Sequence, residues 1–145
     1  MKVLVAYDGT LHARTALQYG MEKTRETNGE LVVLHVFNRN MFLDYDAIPQ
    51  AEEIARRESS RYAKEAEKIL KEEGKGIKAF LVTGEGNPEQ EIIECAKEEN
   101  VDLLLCPTRY KVVASTFRKM LKVRGLETSI FAYGSSPYAT VPTEK

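Results

Sequence analysis

The chain has 145 residues, which fits one domain and is short for two. Its content of 43% hydrophobic and 30% charged residues is close to that of an ordinary soluble globular domain, and no apolar run approaches the ~18 residues of a membrane span. The net charge of −1 hides an asymmetry, because six basic residues and no acidic one lie between positions 109 and 124.

The first half of the chain alternates strands and helices. Residues 3–7 form an apolar run without polar alternation, which is typical of a strand buried on both faces. Thr10 suits the N-cap of a helix that ends at Asn28 and Gly29. Residues 31–37 predict a second strand, apolar except for His35, which we interpret as a core histidine with satisfied ring nitrogens.

The second half continues the alternation. Apolar residues at helical spacing predict a helix from Ala51 to Leu70, followed by a strand over residues 77–82. Asn87 as N-cap, with Pro88 in the first helical position, predicts a third helix, and residues 101–106 predict a fourth strand.

The C-terminal third is harder to interpret. Apolar residues over 113–121 fall at helical spacing, and a second short helical piece is predicted to hold Leu126, Ile130 and Tyr133. Residues 138–141, between two prolines, predict a short fifth strand at an edge.

This element order predicts a single α/β domain over residues 1–145, with a parallel sheet and helices on both faces. Ligands in such folds bind at the carboxyl ends of the strands, where strand order reverses. Those ends lie at residues 7–10, 36–38 and 106–109, and the basic run begins at the third of them.

The cellular location follows from two observations. The apolar run near the N-terminus is too short for a signal peptide. The two cysteines, Cys95 and Cys106, form no CxxC pair and do not have metal-ligand spacing, and a reducing compartment would keep them as thiols. We therefore expect a cytoplasmic protein without a metal site.

Several segments together resemble the universal stress protein (UspA-like) family. Val-Ala-Tyr-Asp-Gly-Thr at residues 5–10 resembles the first strand and turn of that family, and Leu-His-Val at residues 34–36 resembles its second strand. Residues 86–105 resemble its third helix and fourth strand, and Ser136-Pro137 resembles its C-terminus. The segments occur in the family's order along nearly the whole chain.

The resemblance implies a doubly wound, five-stranded parallel sheet of order 3-2-1-4-5. It also implies a homodimer joined through the last strand, here Tyr138, Ala139, Thr140 and Val141. Some members of the family bind ATP through a glycine-rich loop after the fourth strand, in which backbone N–H groups approach the phosphates. Other members lack the loop and do not bind ATP.

This sequence departs from the glycine-rich signature at each anchor. Pro107 and Tyr110 stand where the first two glycines belong, and Met120-Leu121 replaces the final glycine and hydroxyl residue. A shifted alignment places the last glycine at Gly125. Because Pro107 removes an N–H donor and Tyr110 occupies phosphate space, the resemblance implies a member without family-type ATP binding.

The alternative is a divergent adenine-nucleotide-binding protein that takes ATP with Mg²⁺ or AMP. Asp8 and Val36 match family positions that face the adenosine, and the basic run lies where the phosphates would sit. Asp8 equally suits the stabilisation of a helix start. The predicted nucleotide contacts are Ala6, Tyr7, Asp8, Val36, Cys106, Thr108, Arg109, Arg118 and Gly125.

Enzyme motifs are missing from the sequence. There is no GxxxxGK[ST] loop, no GxSxG elbow and no His-x-Gly-His. Cys106 is better interpreted as a buried thiol than as a redox centre, and the acidic remainder of the chain argues against a nucleic-acid surface. We expect a non-enzymatic regulatory module that acts through a protein partner or another small ligand.

Overall fold

The computed structural model describes residues 1–38, 50–107, 110, 113–123 and 129–132. Strands and helices alternate along the chain, as the sequence predicted. In chain order they are β1 Lys2–Ala6, α1 Leu11–Thr27, β2 Glu30–Phe37, α2 Ala51–Glu73, β3 Lys78–Glu85, α3 Pro88–Glu98, β4 Leu103–Cys106, α4 Ala114–Val123 and β5 Ser129–Ala132.

The strands form a parallel sheet of order β3-β2-β1-β4-β5. β1 lies in its centre, paired with β2 on one side and β4 on the other. Its residues from Val3 onward are buried because both faces of the sheet are covered, which explains their continuous apolar run. The predicted α/β fold with a parallel sheet is confirmed, including the order 3-2-1-4 of the first four strands.

The C-terminal predictions need a correction. Residues 129–132 form β5, which pairs in parallel with β4, so the helical piece predicted around Ile130 is wrong. Four residues are too few for periodicity to separate strand from helix, whereas the outer edge of β4 offers backbone groups that need partners. The strand predicted over residues 138–141 lies outside the described residues.

The predicted helix caps of α1 and α3 are confirmed. The Thr10 hydroxyl accepts a hydrogen bond from the Ala13 N–H at 3.1 Å, and α1 ends at Asn28 in the left-handed conformation with φ 52°. The Asn87 side chain accepts from the Gln90 N–H at 3.1 Å, with Pro88 beginning α3. These caps orient both helices relative to the strands that precede them.

The core has one half on each face of the sheet. Val3, Val5 and Tyr7 of the first strand segment pack with α1 and α2, whereas Leu4 and Ala6 pack with α3 and α4. Side chains of neighbouring residues therefore leave the carboxyl end of β1 on opposite faces. No helix in the described part of the chain is long and apolar enough to cross a membrane.

Candidate functional site

A narrow cavity lies where β1 and β2 end, on the sheet face that carries α3 and α4. Its volume is about 10 Å³, close to the minimum that holds one water molecule, whereas small-molecule sites usually measure about 300–1,000 Å³. Among the described residues its lining consists of Ala6, Tyr7, Asp8, Leu34, Val36, Ile92 and Tyr110. Within the described part of the chain, the expected ligand edge therefore offers only this closed cavity.

Tyr110 is the residue that reaches this cavity from the segment after β4. It is only 6% exposed and belongs to the core on the α3 and α4 face. Its ring centroid lies 6.1 Å from that of Phe117 on α4, and its backbone N–H donates to the Pro107 carbonyl at 3.0 Å. The side chain that replaces the second glycine of the family's loop is thus part of the hydrophobic core.

Asp8 is built into the turn between β1 and α1. Its Oδ1 accepts hydrogen bonds from the Thr10 N–H at 3.0 Å and from the Thr10 hydroxyl at 2.6 Å. Thr10 in turn caps α1. This geometry supports the interpretation of Asp8 as a residue that organises the helix start, at a position that also borders the cavity.

A second group of polar side chains lies at the same edge but on the α1 and α2 face. We call Tyr7, Arg14, His35, Ser59 and Glu65 the polar cluster. His35 is buried, with Nδ1 at 2.8 Å from the Tyr7 carbonyl oxygen and Nε2 at 2.7 Å from the Ser59 hydroxyl. Because a carbonyl only accepts, Nδ1 donates to it, and in the neutral ring Nε2 then accepts from the Ser59 hydroxyl. The prediction of a satisfied core histidine is confirmed.

Glu65 of α2 is the centre of the rest of the polar cluster. It accepts a short hydrogen bond from the Tyr7 hydroxyl and another from Arg14 at 2.8 Å. Burial and the bond to Glu65 raise the pKa of Tyr7 to about 12. The same bond and Arg14 lower the pKa of Glu65. The tyrosine therefore stays protonated and the carboxylate charged at neutral pH.

The structure brings four of the predicted nucleotide contacts together, namely Ala6, Tyr7, Asp8 and Val36. Cys106 is buried in the same half of the core, and Arg118 is a partly buried residue of α4. Two groups of predicted residues lie outside the described part of the chain. They are Thr108, Arg109 and Gly125 of the nucleotide contacts, and Tyr138, Ala139, Thr140 and Val141 of the dimer interface.

Both cysteines are buried free thiols. Burial, reinforced by the nearby Glu99 carboxylate, raises the pKa of Cys95 to about 12, and Cys106 is 1% exposed. A reactive cysteine needs an accessible thiolate, so the geometry favours packing over redox chemistry for both. Within the described ranges, no three His, Cys, Asp or Glu side chains are placed to hold a metal ion.

A larger cavity of about 500 Å³ lies at the opposite edge, between the amino ends of β1, β2 and β3. Its charged groups are already engaged by the protein. Lys2 contacts Glu99 at 3.0 Å, and Lys78 contacts Glu30 at 2.7 Å. Arg25 donates to the Glu73 carbonyl at the end of α2 at 3.1 Å. These pairs join strands and helix ends, and we interpret them as structural.

Comparison with known proteins gives a consistent result. The sequence model of the universal stress protein family matches residues 1–121. No curated protein sequence matches the chain. A universal stress protein from Archaeoglobus fulgidus is similar in structure, with a TM-score of 0.63, 16% identity and coverage of 91% of this chain and 92% of that one.

Two further similar structures contain nucleotides. A universal stress protein in complex with cAMP has a TM-score of 0.55 and 18% identity, covering 94% of this chain and 98% of its own. A family protein from Arabidopsis thaliana with AMP bound has a TM-score of 0.58 at the same identity and the same coverages. At these identities the likeness is one of fold.

Proposed function

The chain belongs to the universal stress protein family, and we propose that it is a non-enzymatic stress-response or regulatory module without family-type ATP binding. One observation carries the proposal. The cavity at the carboxyl ends of β1 and β2 has a volume of about 10 Å³, and the buried Tyr110 borders it. The module would act through a protein partner or another small ligand.

Opening the cavity has an energetic cost that can be estimated. Tyr110 would have to leave its contact with Phe117, and exposing a large buried side chain costs roughly 1.5–3 kcal/mol. A site that exists only after such a change binds its ligand more weakly by the same free energy. The apparent dissociation constant is then about 10- to 100-fold higher. From this cost alone, a nucleotide held at about 1 μM by an open site would bind here at about 10–100 μM, and the missing glycine loop weakens the binding further.

Calorimetric titration of the purified protein with Mg-ATP and with AMP tests the proposal. We expect no heat of binding and no thermal stabilisation at millimolar nucleotide, at low or moderate salt, because the cavity of about 10 Å³ admits neither ligand. Binding at micromolar strength would contradict the proposal and would establish that the pocket opens at little cost.

The second candidate is a divergent adenine-nucleotide-binding protein, and one observation favours it. The Nε of Arg118 is buried and makes no hydrogen bond within the described part of the chain. Relatives of similar fold contain AMP or cAMP. Under this alternative, binding should weaken strongly with salt and with R118E, whereas K64E on α2, on the opposite face, should leave it unchanged.

We also propose a cytoplasmic homodimer joined through the C-terminal edge of the sheet. In the described part of the sheet, β5 is an edge strand that pairs only with β4, and edge strands are ready to pair with another chain. Gel filtration with light scattering should give twice the mass of one chain at micromolar concentration. A single-chain mass would contradict this proposal and leave the closed cavity unaffected.

A further inference from the structure

The two halves of α2 are attached to the protein in different ways. The helix has 23 residues, and its buried residues are Ala66 and Ile69, both in the C-terminal half. These two pack into the core on the α1 and α2 face. Residues 51–65 include no buried side chain, and Ile54 is 55% exposed. Fully buried apolar side chains therefore anchor only the last third of α2, and within residues 51–65 the partly buried Tyr62 ring packs against the same core.

Apart from Tyr62, residues 51–65 of α2 are held by polar contacts. Within the polar cluster, Ser59 contacts His35, and Glu65 accepts a hydrogen bond from Tyr7. Arg56 donates to Glu85 at the end of β3 at 2.6 Å, and its guanidinium lies 4.6 Å from the centre of the Phe37 ring. The Arg56 ion pair is exposed and contributes little net stability, so the contacts of Ser59 and Glu65 with the buried His35 and Tyr7 supply most of the polar attachment.

We propose that residues 51–65 form a local opening unit, which unfolds while the rest of the domain stays folded. The contacts within the polar cluster hold this unit in its closed state. A segment of this length is barely stable as an isolated helix, so once undocked it loses its helical hydrogen bonds. The C-terminal part of α2 stays docked through Ala66 and Ile69. Regions of this kind open far more often than the whole protein unfolds.

Opening would change the carboxyl edge of the sheet. It would release the Tyr7 hydroxyl from Glu65 and the His35 ring from Ser59, at the ends of the same two strands that border the closed cavity. It would also uncover the turn at Gly9, on which the Tyr62 ring packs. The open state thus presents a polar surface that the closed state covers, whether or not a nucleotide binds.

Native-state hydrogen exchange with a matched pair of variants tests this inference. In the parent protein, we expect amides of residues 54–64 to exchange at least about ten-fold faster than those of residues 69–73. E65A should speed exchange in residues 54–64 by about another ten-fold, because it removes a charged acceptor with two partners. E67A is the control, because the exposed Glu67 forms an ion pair with Lys71 on the same helix and does not belong to the polar cluster.

Either of two results would overturn the inference. One is uniform exchange along α2 at the rate of global unfolding. The other is an equal effect of E65A and E67A. S59A provides a second variant, because it removes the His35 contact without changing a charge. It should accelerate exchange in the same residues and leave the amides of β1 and β4 at the parent rate.

Discussion

Replacement of Tyr110 with alanine is expected to lower the free energy of unfolding by about 3–4 kcal/mol, the range for loss of a buried aromatic side chain. Tyr110 is 6% exposed and packs against Phe117 inside the core. Its removal leaves a void that the surrounding strands and helices fill only in part. Urea unfolding followed by circular dichroism measures the loss.

The same variant should acquire a pocket. Tyr110 borders the closed cavity of about 10 Å³, so the space vacated by its ring joins that cavity beside Ala6 and Val36. We expect Y110A to bind AMP detectably in calorimetry where the parent protein shows no heat. The phosphate would remain weakly held, since the glycine loop that supplies backbone N–H donors in other members is still missing.

F117A is the matched control for Y110A. Phe117 is an equally buried aromatic residue of the same half of the core, yet it does not line the cavity. It should cost a similar free energy without a gain in AMP binding. Equal binding by both variants, or a loss below about 1 kcal/mol for Y110A, would contradict the role given to Tyr110. If Y110A is too unstable to purify, Y110L retains part of the apolar volume.

The central part of the fold could be predicted because its signals are local. Strands buried on both faces need apolar runs, and residues 3–7 and, apart from His35, residues 31–37 have them. Thr10 and Asn87 cap their helices through their own side chains. The segment that became β5 has no such signal, since Ser129–Ala132 is placed by pairing with β4 rather than by a pattern of its own.

The candidate site could be predicted only in part. Residues at the ends of β1 and β2 converge because parallel strands end at one edge of the sheet, so Ala6, Asp8 and Val36 share a cavity. The contact of Glu65 with Tyr7 joins residues 58 positions apart. α2 carries many glutamates and arginines. No sequence pattern distinguishes Glu65, which faces the sheet, from the solvent-exposed glutamates beside it.

Gly9 illustrates a constraint that only the structure reveals. Its φ is +83°, and a Cβ there would lie 2.4 Å from the Tyr62 ring on α2. G9A should therefore lower the free energy of unfolding by about 3 kcal/mol, from about 1 kcal/mol of left-handed strain and a larger cost of displacing the ring. Urea unfolding measures the total.

Gly76 separates these two costs. Its φ of +85° is nearly that of Gly9, but nothing lies within 4 Å of the position of its Cβ. G76A should cost only the strain of about 1 kcal/mol, so the difference between the variants is the cost of moving Tyr62. Because Tyr62 belongs to the proposed opening unit, G9A should also accelerate exchange in residues 54–64, whereas G76A should not. Equal destabilisation by G9A and G76A would mean that the Tyr62 ring moves aside at little energetic cost. Tyr62 would then not help to hold α2 against the first turn.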